Sequence, residues 1–397
     1  MLSHKGYCAE IAGIQKIIPF NKDDIFFSIV PYHHNLGQIA DFLMPLNAGA
    51  SIGHCEGLQY VMKNMQELKP SVVSCSPAVA ESFLKQIWVG LAKAGKKEQV
   101  EQLLSTSTLS IEQAREIFKD IHQAFGGNIR LFPCAGAQLH PEIEKGLRNF
   151  GIESAITYGL TETTAAVSIS QPGNSKDNSV GSLLPGVEIK INEPNEEGIG
   201  EILAKWDGSM LGYYNDPEVT KKTITDDGFI RTGDLGAIDK DNFLYFSGRK
   251  KRIIVPKTGK KIFPEELEEL LKTQPYIKES LVYGKNLEGT NDVVVAISIF
   301  PDRDKFTADF GDISEEEIKV KIQEQIADFN QILPPYKAIQ YIDELRTLPF
   351  EKTPSGKIKL YGSNIPSQEG SQHSTASETL QEVETTQGNC NISEEER

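Results

Sequence analysis

Predominantly apolar runs in the first half of the chain alternate with longer segments of helical periodicity. Runs at residues 25–30 and 72–73, and another that begins at Arg130, are each followed by a turn and a helical segment. Strands that are apolar without alternation are typical of a parallel sheet covered by helices on both faces. Residues 82–125 are helical in period, with a connector near residues 105–107. The predicted core faces of this segment contain Trp88, Leu91, Val100, Leu103, Ile117 and Ile121.

The second half of the chain changes to shorter β-type patterns. Residues 229–231 and 243–246 alternate apolar and polar positions, which predicts a β-hairpin. Pro, Gly and Asn turns separate further predicted strands at residues 187–190, 201–204 and 244–247. From residue 251 onward the pattern predicts a compact α+β module. Its predicted elements are a strand at 253–255, a helix at 264–272, strands near 280–283 and 293–300, a helix at about 314–329 and a strand near 338–342.

These patterns predict an α/β fold with two domains. Residues 1–250 are expected to form an incomplete large domain with doubly wound sheets and, at about 180–247, a small β-barrel-like subdomain. Residues 251–361 are expected to form a small, mobile α+β domain. Residues 362–397 are rich in Ser, Thr, Gln and Glu and poor in apolar residues, which predicts a disordered acidic tail.

Composition excludes some classes of function. The net charge of −15 argues against a general nucleic-acid binder, because no basic excess is available to neutralise phosphates. The cysteines are widely spaced and form no metal-like cluster with histidine, which favours reduced thiols in the cytoplasm. No apolar run approaches membrane-spanning length, and the N-terminus lacks the pattern of a signal peptide. We therefore expect a cytoplasmic protein.

Residues 156–164 form the sharpest local motif, in which a strand leads into a glycine turn. The ring of Tyr158 can stack on a purine, and Gly159 permits the turn. Thr161 can donate a hydrogen bond to a phosphate oxygen, and Glu162 can bind Mg²⁺, which prefers carboxylate and phosphate oxygens. Taken alone, the segment fits a polar helix N-cap about as well as a nucleotide site. The motifs downstream favour the nucleotide.

Three weaker signals accompany this motif. Asp234 lies between two glycines, where a tight turn can expose a carboxylate, although Asp and Gly also form ordinary turns. Gly136 and Ala137 follow a strand, where small residues let a flat ring lie against the backbone or serve a close helix contact. His33 and His34 could bind a metal, but a loop histidine beside a ligand fits better because no third metal ligand is evident.

The order of these segments resembles the adenylate-forming superfamily, which includes acyl-CoA synthetases, peptide-synthetase adenylation domains and luciferases. Residues 228–234 (GFIRTGD) are similar to the ribose-binding segment of the family, and residues 248–251 (GRKK) to the junction between its domains. Residues 31–37 are similar to its Pro-Leu-x-His-x-x-Gly turn. Residues 348–359 are similar to its C-terminal catalytic loop. The helical insertion at residues 82–125 resembles the long-chain fatty acyl-CoA ligase branch.

The resemblance implies a role for each matching residue. The implied catalytic residues are Lys357, Thr161 and Glu162, of which Glu162 would also bind Mg²⁺. The residues implied to bind the nucleotide or to line the path of coenzyme A are Gly136, Ala137, Tyr158, Gly159, Asp234, Arg249 and Gly259. His34 would shape the acyl pocket, and Lys251 would be the hinge. Arg252 stands where many relatives have an acidic or amide residue.

The implied reaction has two steps. A carboxylate attacks the α-phosphate of Mg-ATP to give acyl-AMP and pyrophosphate, and the thiol of coenzyme A then displaces AMP. Rotation of the small domain separates the steps. The expected partners are a fatty acid, ATP and coenzyme A, and a fatty substrate is consistent with peripheral membrane contact. The alternatives are an adenylating enzyme for another carboxylic acid and a non-catalytic acyl- or nucleotide-binding remnant.

One family segment is not found in the sequence. The Gly/Ser/Thr-rich loop that cradles the ATP phosphates in the family does not occur, and residues 1–5 resemble the stretch that follows it. We therefore expect a family member that lacks roughly its first third. Without that loop the triphosphate would lose backbone N–H donors, so the first step is expected to be impaired.

Overall fold

The computed structural model of the chain describes residues 1–136, 139–287, 292–353 and 358–359. The α-helices are α1 (His4–Ile17), α2 (Asn35–Gln38), α3 (Met44–Ala48), α4 (Val61–Leu68), α5 (Pro77–Lys93), α6 (Lys97–Thr106), α7 (Ile111–Ile117), α8 (Lys119–Ala124), α9 (Pro141–Asn149), α10 (Pro217–Thr223), α11 (Pro264–Leu271), α12 (Arg303–Phe310) and α13 (Glu315–Gln331). The strands are β1 (Ile25–Ser28), β2 (Ser51–His54), β3 (Val72–Val73), β4 (Leu131–Cys134), β5 (Glu153–Tyr158), β6 (Ser168–Ile169), β7 (Ser182–Leu183), β8 (Glu188–Asn192), β9 (Gly200–Lys205), β10 (Ile230–Ile238), β11 (Leu244–Arg249), β12 (Ile277–Asn286), β13 (Val293–Pro301) and β14 (Tyr341–Leu345).

The largest sheet has the strand order β2-β1-β3-β4-β5-β6-β7. Strands β2, β1, β3, β4 and β5 pair in parallel, and β6 and β7 extend the sheet in antiparallel pairing. Consecutive strand residues point to opposite faces, so Phe27 packs with helices α5 and α9 and Phe26 packs with α1 on the other face. Both faces are covered by helices, which confirms the doubly wound prediction.

The four-stranded sheet has the order β11-β10-β9-β8, and all its pairs are antiparallel. The predicted hairpin is confirmed as β10 and β11. A β-carbon at Gly236 would lie 2.1 Å from the carbonyl oxygen of Tyr245, so only glycine fits at this point of the hairpin. Among the described residues this sheet is open at both edges. The β-rich subdomain is therefore present, but it does not close into a barrel.

The C-terminal module contains a three-stranded sheet in the order β12-β13-β14, packed against α11 and α13. Ser314 caps α13 in a capping box with Glu317, which explains where the predicted helix begins. The prediction of a strand at residues 253–255 was wrong in extent. Of these three residues only Ile254 forms a β-bridge, and its partner is Ile262. The domain boundaries and the mobility of this module stay predictions.

The helical insertion consists of α5, α6, α7 and α8. Leu91 and Val100 are buried in its core as predicted, but Ile117 was wrongly assigned, because its side chain is 50% exposed. Helix α7 ends at Ile117, and the break places Phe118 in the core instead. Within the described part of the chain, no helix has both the length and the apolarity that a membrane span needs.

Candidate nucleotide and acyl site

Several of the predicted site residues lie where the parallel strands of the largest sheet end. Strand β4 ends at Cys134 and leads to Gly136, whose φ of +92° is in the left-handed region that favours glycine. Strand β5 ends at Tyr158 and leads through Gly159 to the 3₁₀ turn that contains Glu162. The carboxyl ends of neighbouring parallel strands share one edge of the sheet, where open α/β sheets bind ligands.

A hydrogen bond joins this edge to the four-stranded sheet. The hydroxyl of Tyr158 donates to Oδ2 of Asp234 at 3.0 Å, and both side chains are buried. The register of β10 and β11 places Arg249 opposite Asp234, with Nε of Arg249 3.3 Å from Oδ1 of Asp234. Burial and the neighbouring carboxylate raise the pKa of Tyr158 well above its ordinary value, so the phenol stays protonated. The structure thus brings three predicted nucleotide-binding residues into direct contact.

Glu162 is held by a residue that the sequence did not single out. The hydroxyl of Tyr213 donates to Oε1 of Glu162 at 2.7 Å, and the backbone N–H of Met210 donates to the Glu162 carbonyl at 2.8 Å. Burial and the hydrogen bond to Glu162 raise the pKa of Tyr213 to about 12. The neighbouring Thr161 is exposed. The carboxylate of Glu162 therefore has a fixed orientation beside an accessible hydroxyl.

The metal-binding capacity of this turn is limited. No group of three or more His, Cys, Asp or Glu side chains among the described residues could hold a metal ion. Mg²⁺ is commonly bound through one or two carboxylates, with water and substrate phosphates completing its coordination. Glu162 alone fits that arrangement, in which the ion arrives with a phosphate ligand. It does not fit a metal bound entirely by protein side chains.

The turn after Tyr158 can contain only glycine at position 159. A β-carbon at Gly159 would lie 1.7 Å from the carbonyl oxygen of Ala165. Thr164 has a φ of +66°, and its hydroxyl donates to the carbonyl of Gly208 at 2.6 Å. The side-chain amide of Asn35 donates to the Thr164 carbonyl. These contacts fix the turn and attach it to the loop that follows β1.

His34 belongs to that loop. Its side chain is exposed, and Nδ1 accepts a hydrogen bond from the backbone N–H of Leu36 at 3.1 Å, which caps helix α2. Gly37 packs against the backbone, because a β-carbon there would lie 2.5 Å from the carbonyl oxygen of Pro31. His34 therefore has a defined structural role, and its role beside an acyl group stays a prediction.

A small cavity lies beneath these loops, with a volume of about 50 Å³. It is lined by Glu10, Ile14, Ile18, Phe20, Phe26, Leu36, Ile39, Ala40, Met44, Pro133, Thr157, Ala165, Ala166 and Ile169. Oε1 of Glu10 accepts a hydrogen bond from the backbone N–H of Ala166 at 2.8 Å. Burial raises the pKa of Glu10 to about 8, so its carboxyl group is largely protonated at neutral pH. The cavity is thus apolar apart from one buried acid and Thr157.

The predicted hinge follows β11 as a short 3₁₀ helix, Lys250–Arg252. Lys251 is exposed. Arg252 forms ion pairs with Glu265 at 3.0 Å and with Glu268 at 2.6 Å, and the three side chains are largely buried. This cluster ties the residue after the predicted hinge to helix α11.

The remaining predicted residues are placed only in part. Gly259 has a φ of +73° and closes a turn in which its N–H donates to the carbonyl of Pro256 at 2.9 Å. Ala137 and Lys357 lie outside the described residues. The structure therefore gives no position for the predicted catalytic lysine.

Comparison with known proteins identifies the family. Residues 1–214 match the family model described as AMP-binding enzyme. The chain belongs to the AMP-binding enzyme family. Residues 251–359 match the family model for the C-terminal domain of AMP-binding enzymes. The resemblance to adenylate-forming enzymes inferred from the sequence motifs is thereby confirmed.

The similar proteins act on different acids. The chain is 28% identical over 303 residues to the long-chain-fatty-acid–CoA ligase FadD15 of Mycobacterium bovis, which is 71% of this chain and 49% of the ligase. It is 32% identical over 252 residues to 4-coumarate–CoA ligase 1 of Glycine max, which is 60% of this chain and 80% of that protein. The chain thus spans about half the length of the mycobacterial ligase.

The fold is also found in solved structures. O-succinylbenzoate CoA synthetase (MenE) of Bacillus subtilis, in complex with its acyl-adenylate intermediate, is similar with a TM-score of 0.67 and 20% sequence identity. The similarity covers 90% of this chain and 64% of that chain. At this identity it shows the fold alone.

Sequence reasoning missed three residues that the structure places in or beside the candidate site. Tyr213 lies in a Gly-Tyr-Tyr-Asn segment, and the pair of aromatic residues in a predicted turn could have marked it as a candidate site residue. Asn35 follows His34 directly and could have been recognised as a further polar group of the same loop. Glu10 was visible as the only acidic residue within α1. Its burial could not be inferred, because it depends on the packing of α1 against the sheet.

Proposed function

We propose that this AMP-binding enzyme activates a fatty acid as acyl-AMP and transfers the acyl group to coenzyme A. The observation that carries the proposal is the contact of Tyr158 and Arg249 with the buried Asp234 at the carboxyl edge of the sheet. A buried carboxylate can accept hydrogen bonds from both hydroxyls of a ribose, and the neighbouring aromatic ring can stack on the base. Membership of the family supports this assignment.

The proposed roles follow from position and chemistry for the described residues, and from the sequence resemblance alone for Ala137 and Lys357. Tyr158, Gly159, Gly136 and Ala137 form the adenine side of the site, and Asp234 and Arg249 bind the ribose. Thr161 donates a hydrogen bond to the α-phosphate, and Glu162 would hold Mg²⁺, which would supply positive charge beside the phosphate oxygens. Lys357 supplies a further positive charge in the first step. Lys251 is the hinge, and Gly259 lines the path of the thiol in the second step.

The proposed acid is a fatty acid, and one end of its acyl chain enters the cavity of about 50 Å³ beneath the His34 loop. The helical insertion α5–α8 and the similarity to a long-chain-fatty-acid–CoA ligase support this class of acid. The similarity to 4-coumarate–CoA ligase 1 supports a carboxylic acid of some kind without favouring an alkyl chain.

A polypeptide limited to these 397 residues contains no Gly-rich phosphate loop. We therefore propose that this polypeptide binds AMP and acyl-AMP more readily than ATP, because it has no such loop to donate backbone N–H groups to the β- and γ-phosphates. Of the two half-reactions, it should retain transfer of a pre-formed acyl-AMP to coenzyme A better than formation of acyl-AMP.

Isothermal titration of AMP into the purified chain tests the nucleotide site. The variant Asp234→Asn should weaken AMP binding about tenfold to a hundredfold, because hydrogen bonds from the ribose to a charged acceptor are lost. Asp227→Asn is the matched control, since Asp227 is an exposed acid that pairs with Lys190 at 2.6 Å in the turn before β10. It should leave the affinity for AMP unchanged. Equal effects of the two variants, or no AMP binding by the unmodified chain, would contradict the proposed site.

A further inference from the structure

Glu10 has one carboxyl oxygen that the protein does not use. Its side chain is 0% exposed, and Oε1 accepts the N–H of Ala166. Among the described residues, Oε2 is buried and has no hydrogen-bond partner. A buried polar group without a partner is unfavourable, and a hydrocarbon side chain would avoid that cost. Oε2 is therefore a hydrogen-bonding group that still lacks a partner.

The cavity around Glu10 is lined by one other polar side chain. Of the residues that line it, Thr157 is the second polar one, and its hydroxyl already donates to the carbonyl of Cys134 at 3.2 Å. The other lining side chains are apolar. A ligand group that enters the cavity can therefore form a side-chain hydrogen bond mainly with Glu10.

The cavity shares a wall with the nucleotide site. Thr157 directly precedes Tyr158, and Ala165 packs its carbonyl against Gly159. Leu36 lines the cavity from the other side and belongs to the helix that His34 caps. The cavity therefore borders the turn that follows Tyr158, beside the proposed nucleotide site.

We propose that Glu10 binds a hydroxyl group carried by the acyl chain, so that the preferred substrates are hydroxy-substituted acids rather than plain alkyl acids. This inference rests on the proposed function and specifies the substrate class of the same site. The protonated carboxyl of Glu10 donates through Oε2 to the hydroxyl oxygen. A cavity of about 50 Å³ admits only a few heavy atoms, which places the hydroxyl near the end of the group that enters it.

Binding of stable acyl-adenylate mimics tests the proposal without requiring turnover. The probes are acyl-sulfamoyl adenosines in matched pairs of equal chain length, one with an alkyl end and one with a terminal hydroxyl, in a series of lengths. Their affinities are measured by calorimetry on the full chain. For the best-fitting length, the hydroxylated member should bind about tenfold more tightly, because it alone satisfies the buried acid.

Variants of Glu10 decide whether that residue causes the preference. Glu10→Met removes the polar group at similar length and should abolish or reverse the preference. Glu10→Gln keeps an acceptor for Ala166 and a donor toward the cavity, so it should retain the preference even if Glu10→Met does not fold. Ile18→Val, in the same lining, should change the affinities of both members of a pair in the same direction.

The outcomes separate the two proposals. If the unmodified chain binds AMP and both members of every pair equally, the hydroxyl proposal is overturned and the nucleotide site stands, since a trapped water would satisfy Oε2 equally well. A preference that persists in Glu10→Met would also overturn it. Failure to bind AMP and all of the adenylate mimics would instead overturn the proposed function, and the hydroxyl proposal with it.

Discussion

The hydroxyl of Tyr158 donates to the carboxylate of Asp234 at 3.0 Å, although 76 positions separate the two residues in the chain. Tyr158 ends β5 of the largest sheet, and Asp234 lies in β10 of the four-stranded sheet. The bond therefore holds together the two sheets from which the proposed nucleotide site is built. Its strength affects both the stability of the protein and the geometry of the site.

Replacing Tyr158 with phenylalanine removes this bond and keeps the ring. The free energy of unfolding should fall by about 1–3 kcal/mol, because a buried carboxylate loses a donor. Denaturant titration measures the change. Tyr245→Phe is the matched control in β11, where a partly exposed hydroxyl donates to Asp239 at 3.3 Å, and it should have a smaller effect. If Tyr245→Phe lowered the free energy of unfolding more than Tyr158→Phe, the buried hydrogen bond would not be the more stabilising of the two.

Gly159→Ala should damage the site by steric overlap. The added β-carbon would lie 1.7 Å from the Ala165 carbonyl oxygen, so the turn that orients Glu162 must move. We expect a loss of about 1–3 kcal/mol in stability together with weaker AMP binding. Gly90→Ala is an informative comparison, since Gly90 lies within α5 and a β-carbon there contacts nothing within 4 Å. That variant should instead stabilise the protein by about 0.5–1 kcal/mol.

Stability should fall as the pH rises because of Glu10. Burial raises the pKa of Glu10 from an ordinary value of 4.5 to about 8. Below pH 4.5 the folded and unfolded states are both protonated, and the contribution of this group to stability is complete. Between 4.5 and about 8 the unfolded state loses the proton first, so that contribution is progressively lost.

Thermal unfolding of Glu10→Gln across this pH range measures the effect. The melting temperature of the variant minus that of the unmodified protein should increase with pH, because the variant carries no titrating group at this position. Glu116→Gln removes an exposed carboxylate from α7 and should show no such trend. Parallel curves for Glu10→Gln and the unmodified protein would show that Glu10 does not titrate in this range.

Reversing the charge of Arg252 should destabilise the C-terminal module. Arg252→Glu removes the ion pairs to Glu265 and Glu268 and leaves three acids in a largely buried cluster. We expect a loss of about 3–5 kcal/mol, as for other broken buried pairs. Lys305→Glu is the surface counterpart, because Lys305 pairs with Asp309 at 2.9 Å in solvent, and it should cost less than about 1 kcal/mol. Chemical denaturation measures the free energy of unfolding of both variants. Equal losses of that free energy would contradict the expectation.

The elements of the fold could be predicted from the sequence because their signals are local. The apolar run at residues 25–30, the glycine turn after Tyr158 and the capping residue Ser314 each mark a strand, a turn or a helix start without reference to the rest of the chain. Ile117 was misassigned because helical periodicity continues through residues 82–125, whereas the helix itself breaks at Phe118. Periodicity shows which face is apolar and does not show where a helix bends.

Contacts between distant residues could not be predicted in this way. Cys75 and Cys134 are 59 positions apart, yet their sulfur atoms lie 3.3 Å apart, because the adjacent strands β3 and β4 pair in parallel. Tyr213 reaches Glu162 in the same manner, through folding of a segment 51 positions away. Side-chain type and spacing identified candidate chemistry, but only the pairing of strands shows which groups meet.

The pairing of Asp234 with Arg249 has a mechanical consequence. Arg249 is the last residue of β11, and the next three residues form the turn that leads into the C-terminal module. A ligand that immobilises this pair would therefore also immobilise the start of the segment about which the module is predicted to rotate. If the predicted rotation occurs, occupancy of the ribose position would act on it through Arg249 directly, because Arg249 immediately precedes the predicted hinge segment.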